Sequence, residues 1–596
     1  MKVTINQGKK QRQLDGKGYR SIYQLLKKNG MGINAPCGGA RKCGKCHVKV
    51  ENCTEPVSDH EAELLGRSKM ERGYRLACFI PPNDGMIVTL VKEGDRNQIL
   101  TESRFYADKL DPPFKLFMQV LDPPGLGNQT SDYNNIRSSA GMDIDNTRMD
   151  FLNQISHILR SNGFCLHLLS YKNKIIGVTE RDISSYYGVA VDIGTTTVAA
   201  YLFNLATGQH LDVLSDLNRQ KPYGADVISR IHHASGSDAS LEELKTAIIS
   251  QINDLVRKLV RKNNIHIKDI YLMTLAGNTT MMHLAMGLDP EHIGKSPFIP
   301  VTVDLHEFLP SDMGIRINKE GRVVCLPSLS GYIGADVVAG IIATDMHHSG
   351  KISILLDIGT NGEIVLGNRD RMVSCSTAAG PAFEGTNIRF GTGGISGAID
   401  SVLLQNGKVV FTTIHHKHPV GICGSGVVDI VAELLRNNII DETGRFDVSS
   451  TDPQAAAFSD RVVKFEGMTS FQLTDSIFFT QKDIREVQNA KAAIAAGLNI
   501  LIRRYPTAHD EIDKLYLAGG FGNYINVESA VAIGLLPSWI RERVEPVGNT
   551  AGAGASMCLI NQAHLEEAVH VSNMMEYIEL SSDREFTEEY VECMIF

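Results

Sequence analysis

The tetrapeptide Asp-Ile-Gly-Thr occurs twice, at 192–195 and 357–360, each time between two apolar runs. GVAVDIGTTTVAAYLFN (188–204) and ISILLDIGTNGEIVLG (352–367) both read as strand, turn, strand. Asp192 and Asp357 stand 165 residues apart, too far for a solenoid period and suited to two similar domains. A glycine at such a turn lets backbone amides approach an anion, and threonine hydroxyls add further donors. A carboxylate just before the turn can hold Mg2+ through water. Two of these hairpins facing each other would hold a di- or triphosphate from both sides. KLYLAGGFGNYI (514–525) is a third strand, running into Gly519, Gly520 and Gly522, where missing side chains admit a flat ring such as adenine. Neither a Walker A pattern nor GxGxxG is present, which removes P-loop and Rossmann folds from consideration.

A second cluster of chemistry lies near the amino terminus, in CGGARKCGKC (37–46), with Cys78 following in GYRLACFI. A disulfide frame, a zinc site and a redox centre are the candidates. The chain has eleven cysteines, an odd number, and no apolar leader at its start; a cytoplasmic, thiol-reducing setting is expected and argues against disulfides. Zinc prefers two close ligand pairs, and only Cys43 and Cys46 form one. Three thiolates in one loop with a distant fourth suit an iron–sulfur cluster, and Gly38, Gly39 and Gly44 let backbone amides fold round its sulfides. SIYQLLKKNGM reads as a helix before the loop, CHVKVEN as a strand after it, and IVTLV (87–91) as a closing strand. Cys53 reads as a bystander thiol in the turn after that strand.

Length and charge set the wider frame. A chain of 596 residues needs several cores, and its 54 glycines imply many tight turns. No apolar stretch approaches the ~20 residues that span a bilayer, so no membrane partner is expected. Net charge is −9, yet residues 1–50 carry twelve Lys or Arg and only one acid, Asp15. Those charges show no regular interleaving with aromatic residues of the kind that reads nucleic acid; a docking face for an acidic protein fits better.

Periodicity places the remaining elements. LEELKTAIISQINDLVRKLV repeats Leu241, Leu244, Ile248, Ile252, Leu255 and Leu259 at helical spacing. TQKDIREVQNAKAAIAAGLNILIRRY opens with Thr480 and Asp483 at capping-box spacing, and its stripe of Ile484, Val487, Ile494, Leu498 and Leu501 is expected as core between the lobes. The polar run 96–113 ends in a Pro pair and reads as a linker. Beyond it, FKLFMQVLDPP, NQISHILRSNGF and CLHLLSYKNKIIGVTE predict a small α/β domain at 114–186 with an irregular excursion at 124–148. HHKH (415–418) reads as a solvated loop and GICGSG (421–426) as either a phosphate-facing loop or an interdomain turn.

Residues 1–95 resemble plant- and adrenodoxin-type ferredoxins, a β-grasp fold. The resemblance implies a 2Fe–2S cluster on Cys37, Cys43, Cys46 and Cys78; the five-residue first gap is nearer the vertebrate-like loop. Residues 187–596, on the two DIGT turns and AGGFGN, resemble the acetate and sugar kinase, heat-shock ATPase and actin superfamily. That likeness implies a duplicated, actin-like (ribonuclease H-like) ATPase domain. It places phosphate and Mg2+ contacts on Asp192, Gly194, Thr195, Thr196, Asp357, Gly359, Thr360 and Asn361, and adenosine against Gly519, Gly520 and Phe521. GADVVAGI (334–341) resembles the sugar-kinase segment that carries a general base, which nominates Asp336; AGNTTM (276–281) offers Asn278 and Thr279 to the cleft.

The fold class is therefore α/β multidomain: ferredoxin-like 1–95, linker 96–113, middle domain 114–186, two-lobed ATPase 187–596. This order resembles the reductive activators of corrinoid proteins across the whole chain, with NRQKPYGADVISRI (218–231), LAGNTTMMHL (275–284) and GICGSGVVDIVAELL (421–435) among the matching pieces. The family returns Co(II) corrinoids to Co(I) with ATP. Plant-type clusters sit near −400 mV, and a 10⁴-fold state preference, ~5.5 kcal/mol, offsets a little over 200 mV for one electron. With only Cys558 and Cys593 in the tail, the variant bearing extra carboxy-terminal clusters is excluded. The implied partners are an acidic corrinoid protein of a methyltransferase system, an external low-potential electron donor and a second copy of the chain. Two other readings remain: a small-molecule kinase with a sensory cluster, and a nucleotide-gated electron carrier for a radical-type dehydratase.

Overall fold

Alternating runs at the two ends of the first ninety residues pair into one mixed sheet. Strands β1 (Lys2–Gln7), β2 (Lys10–Asp15), β3 (His47–Glu51), β4 (Tyr74–Leu76) and β5 (Ile87–Leu90) lie in the order β2-β1-β5-β3-β4. The terminal strands β1 and β5 are parallel neighbours, and the helix Ile22–Lys28 buries Ile22, Leu25 and Leu26 against the sheet. This is the β-grasp arrangement. In the computed structural model the described residues are 1–7, 10–29, 31, 33, 41, 46–65, 70, 73–90, 110–145, 149–179, 185–224, 226–385, 387–447, 452–522 and 524–596. Cys37, Cys43 and most of the 96–113 linker lie outside them.

The chain divides into two compact units, Met1–Glu102 with His348–Asn549 and Glu576–Phe596, and Ser103–His347 with Thr550–Met575. In the second of these, β6 (Phe114–Val120), β7 (Asp143–Ile144), β8 (Cys165–Tyr171) and β9 (Lys174–Thr179) form a four-stranded sheet, order β6-β8-β9-β7. The helix Met149–Ser161 covers one face with Phe151, Ile155, Ile158 and Leu159. The excursion expected to be irregular holds a helix, Asp132–Ala140. Its signals are local: Ser131 accepts from the Asn134 amide, and Gly141 ends it in the left-handed region at φ 62°.

A larger sheet in the same unit has β10 (Tyr187–Ile193), β11 (Thr197–Asn204), β12 (His210–Leu217), β13 (Ile270–Gly277), β14 (His306–Phe308) and β15 (Arg322–Cys325), in the order β12-β11-β10-β13-β15-β14. The first three are antiparallel, and β13 and β15 run parallel to β10. The periodic helix spans Asp238–Lys262 and buries Leu244, Ile248, Ile252, Leu255 and Leu259.

The other unit repeats the plan. Its sheet has β16 (Ile352–Ile358), β17 (Gly362–Gly367) and β18 (Met372–Thr377), again antiparallel. Smaller sheets come next in the chain, β19 (Ala398–Gln405) with β20 (Lys408–Thr413) and β21 (Gly421–Ile422), then β22 (Val462–Phe465), β23 (Met468–Gln472) and β24 (Phe478–Thr480). β25 (Ile512–Ala518) and β26 (Val544–Gly548) then add in parallel, and the short strand Met575–Tyr577 closes the order β26-β25-β16-β17-β18 at its far edge. Three antiparallel strands and then two parallel ones, on the same sides, occur in both sheets; the domain is a duplication of one actin-like unit.

The helix Gln481–Arg504 carries the expected Thr480/Asp483 capping box, and its apolar stripe is buried. That stripe lies in the core of its own lobe. A Cβ on Gly362 would stand 2.8 Å from Ile494 Cγ1, and Gly497 has no room for one beside Thr377. In the histidine-rich segment His416 and His418 are exposed, whereas His415 is half-buried with both ring nitrogens shielded from solvent, so the expected solvated loop is one only in part.

Candidate functional site

Both DIGT motifs sit at the same place in their sheets. Asp192 pairs in parallel with Ala276, and Asp357 with Ala518. The next residue on the partner strand is glycine in both cases, Gly277 and Gly519. A Cβ on Gly277 would stand 2.7 Å from the Ile193 carbonyl oxygen, and one on Gly519 would stand 2.6 Å from the equivalent Ile358 oxygen. Real Cβ atoms do not approach so closely, so each DIGT turn needs a glycine behind it. AGN (276–278) and AGG (518–520) are thereby internal counterparts. Both lie at the carboxyl ends of parallel strands, where open α/β sheets take ligands.

In the first turn, three successive carbonyls are held from one side. Asn218 Nδ2 donates to Gly194 O (2.8 Å), Arg230 Nη2 to Thr195 O (2.6 Å), and the Asn218 amide to Thr196 O (2.9 Å). Carbonyl and following amide point in opposite directions across a trans peptide. The anchored peptides carry the amides of Thr195, Thr196 and Thr197, and successive turn amides of this kind can bind an anion. Gly194 is required at the turn because a Cβ there would stand 2.8 Å from Thr197 O.

Asn278 begins the helix Thr279–Met286, accepting from the Met281 amide (2.9 Å), and its Nδ2 donates to Thr195 Oγ1 at 3.0 Å. Sequence placed Thr279 in the cleft as well. Instead its hydroxyl turns away and donates to Ser330 O (2.6 Å). Asp336 lies in the first turn of the helix Ala335–Thr344, next to Asn278: a Cβ on Gly334 would be 2.4 Å from Asn278 Cα and 2.6 Å from Asp336 Oδ1. Loss of solvent raises the Asp336 carboxyl to about 6, against the opposing pull of the Val337 amide. A carboxylate held near neutrality beside a phosphate-type turn has the character of a general base.

In the second turn, the Gly359 amide donates to Asn361 O (2.9 Å) and Thr360 Oγ1 to Glu384 Oε1 (3.1 Å). Asp357 rests on the third motif: a Cβ on Gly519 would lie 2.5 Å from Asp357 Oδ1, and Gly519 has φ +90°, a left-handed backbone open to glycine. Gly520 is exposed with nothing within 4 Å of a Cβ, so this end of the strand presents an open backbone face. Phe521 continues the turn Gly519–Gly522; its side chain lies outside the described residues. Asn218, Arg230 and Glu384 are the residues that reading the sequence missed. NRQKPYGADVISRI and AGPAFEG contain them, but no spacing rule assigns a partner that reaches a turn by tertiary contact.

At the β-grasp sheet, antiparallel pairing of His47 with Leu76 brings Cys46 and Cys78 together just beyond the ladder. Ala77 N donates to Cys46 O (2.8 Å), and the two Sγ atoms lie 3.3 Å apart with both residues buried. Two thiolates on one tetrahedral metal with ~2.3 Å bonds are ~3.8 Å apart, so this pair fits a shared metal with a shift of a few tenths of an ångström. The strand bearing Cys78 is fixed by Glu61, 1% exposed. It takes Arg75 Nε (2.9 Å) and Nη2 (2.8 Å) in a forked pair, and the Leu76 amide (2.9 Å). Arg41 donates from Nε to Cys78 O (3.2 Å) and lies over the Phe79 ring. It is part of the support for Cys78, so it is not a clean probe of docking. Cys53, after β3, meets Arg75 Nη1 at 3.6 Å and has no place in this pair.

Three family models match the chain in succession. Residues 5–83 match a 2Fe-2S iron-sulfur cluster binding domain, 187–349 the RACo middle region, and 351–596 the C-terminal domain of RACo, the ASKHA domain. The chain is 33% identical over 578 residues to the corrinoid activation enzyme RamQ of Eubacterium limosum, covering 95% of this chain and 94% of that one. It is 23% identical over 442 residues to the [Co(II) methylated amine-specific corrinoid protein] reductase of Methanosarcina barkeri, covering 68% and 76%. A solved reductive activator for a corrinoid, iron-sulfur protein superposes with TM-score 0.75 at 30% identity, over 100% of this chain and 98% of that one.

Gly519→Ala tests the second turn. The added methyl meets Asp357 Oδ1 and forces an unfavourable φ, so nucleotide affinity should fall about tenfold or more while the β-grasp domain keeps its cluster spectrum. Unchanged affinity in the folded variant would show that the Asp357–Gly519 contact does not shape the turn.

Proposed function

The chain belongs to the reductive activators of corrinoid proteins, and from that premise we propose how its residues divide the work. It is an ATP-hydrolysing enzyme that reduces a corrinoid protein from Co(II) to Co(I), one electron at a time. Its cofactors are a 2Fe–2S cluster and ATP. The observation that carries our residue assignment is the repeated register, Asp192 on Ala276 and Asp357 on Ala518, with glycine next in each.

We assign the boundaries as 1–95 for the ferredoxin domain, 96–113 for the linker, 114–186 for the middle domain and 187–596 for the ATPase. Cys37, Cys43, Cys46 and Cys78 would hold the 2Fe–2S cluster, which would supply single-electron transfer; the closeness of Cys46 and Cys78 supports their part in that set. The amides of Gly194, Thr195 and Thr196, the Thr195 and Thr196 hydroxyls, and the amides of Thr360 and Asn361 bind phosphate oxygens; Asn278 fixes the Thr195 hydroxyl, and Gly359 shapes the second turn through its own bond to Asn361 O. Asp192 and Asp357 hold Mg2+ through water. Gly519, Gly520 and Phe521 line the adenosine. Asp336 takes a proton from the attacking water. The exposed basic residues of the first fifty, Arg12, Lys17, Arg20 and Lys49 among them, dock an acidic face of a corrinoid protein from a methyltransferase system. A separate low-potential donor reloads the cluster, the chain pairs with a second copy, and it works in the cytoplasm. Among the described residues no helix is long and apolar enough to cross a membrane.

Two measurements test this division. Asp336 is a base only when ionised, and its carboxyl is raised to about 6, so ATP turnover should climb as pH rises through that value. Asp336→Asn should lose ~10²-fold in turnover and the acid limb with it, while keeping the cluster spectrum. A limb that persists at the same pH in the variant contradicts the assignment. Charge reversal at Lys17 and Arg20 together should raise the apparent KM for the corrinoid protein about tenfold at low salt, with kcat unchanged. An unaltered KM places the docking face elsewhere.

A further inference from the structure

Arg230 is the largest fully buried side chain of the molecule among the described residues, at 0% exposure. It stands on the helix Val227–Ala234 and reaches the back of the first DIGT turn. Its Nε donates to Gly224 O (2.9 Å), Nη1 contacts Gln220 Oε1 (3.4 Å) and Met281 Sδ (3.0 Å), and Nη2 donates to Thr195 O (2.6 Å). Every one of these partners is neutral. Among the described residues no carboxylate lies within ion-pair distance. Asp226, the acid that acts on Arg230 from the start of the same helix, accepts at Oδ1 from the Ser229 amide (2.8 Å).

A fully buried guanidinium without a counter-ion is costly, and proteins tolerate one where a bound anion completes it. The chain is shaped to keep it there. A Cβ on Gly224 would stand 2.7 Å from Arg230 N and 2.9 Å from its Cγ, so PYGAD leaves the space the arginine fills. Hydrogen bonding of the turn carbonyls alone would not need a charge; Asn218 performs that task at Gly194 and Thr196 with neutral donors. Desolvation also lowers the guanidinium to about 10, the direction expected when the cation lacks a compensating charge.

We propose that Arg230 is a positioning residue whose buried charge, transmitted through the Thr195 peptide, is completed by the phosphates of the nucleotide, so that the first turn selects ligands by their phosphate charge. This rests on the reading that the 194–196 turn binds phosphate. The charge acts from behind the peptide and orients the donors in front of it. Its contribution therefore grows with the number of phosphate charges and vanishes for the nucleoside.

The test is equilibrium binding of ATP, ADP and adenosine to the full chain with its cluster, for the wild type, Arg230→Gln and Arg230→Lys. Arg230→Gln should weaken ATP about thirtyfold and ADP about tenfold, and leave adenosine unchanged. Arg230→Lys, which keeps the charge, should hold ATP within about threefold. Equal losses for all three ligands in Arg230→Gln, or no loss for ATP, overturns the proposal and makes the arginine a structural prop. Should Arg230→Gln fail to fold, Arg230→Lys still decides: a folded lysine variant that loses ATP tenfold or more shows that the fork matters and the charge does not. A wild type that binds no ATP would instead remove the phosphate-turn reading itself.

Discussion

Each half of the nucleotide-binding domain depends on one steric constraint: the carbonyl of the isoleucine in DIGT occupies the space where the facing residue's Cβ would be. Gly277 and Gly519 satisfy it in the two sheets, at 2.7 and 2.6 Å. Parallel pairing brings the end of one strand against the turn of its neighbour, and only a residue without a side chain lets them close. Once they close, Asp192 and Asp357 stand at fixed and equivalent positions in the two sheets.

The two copies diverge at the residue after that glycine. In the first, Asn278 caps a buried helix and donates to the Thr195 hydroxyl, so the strand end is filled by a polar side chain. In the second, Gly520 is bare and exposed, and the strand end stays open for a broad ligand surface. The first turn has its carbonyls anchored by Asn218 and Arg230, whereas the second uses the Thr360–Glu384 contact. Duplication supplied one frame, and side chains from outside the repeated motif gave each copy its task. The β-grasp domain solves a similar problem with an ion pair: Glu61 and Arg75 lock the strand that delivers Cys78 to Cys46.

Much of this was legible in the sequence because the determining residues are glycines, caps and periodic apolar positions. Both DIGT hairpins, the Thr480/Asp483 capping box and the helix over 238–262 arise from local pattern. The helix Asp132–Ala140 was not legible: Ser131 and Gly141 bound it, but its weakly apolar sequence, with Ile136 alone buried, shows no periodic face. Arg230, Asn218 and Glu384 were not legible. Their meaning comes from a distant turn carbonyl or hydroxyl, and sequence spacing carries no record of which carbonyl a buried arginine meets. Thr279 shows the reverse error: beside Asn278 it shares the motif, yet the helix start sends its hydroxyl to Ser330.

The central claim is that one chain couples ATP to the uphill reduction of a corrinoid. The most direct measurement is the anaerobic absorbance of a Co(II) corrinoid protein mixed with catalytic amounts of this protein and a low-potential reductant. It would be run with ATP, without ATP and with a non-hydrolysable analogue. The account predicts the Co(I) band with ATP alone. Equal Co(I) formation without nucleotide, or none under any condition with the cluster intact, would contradict it.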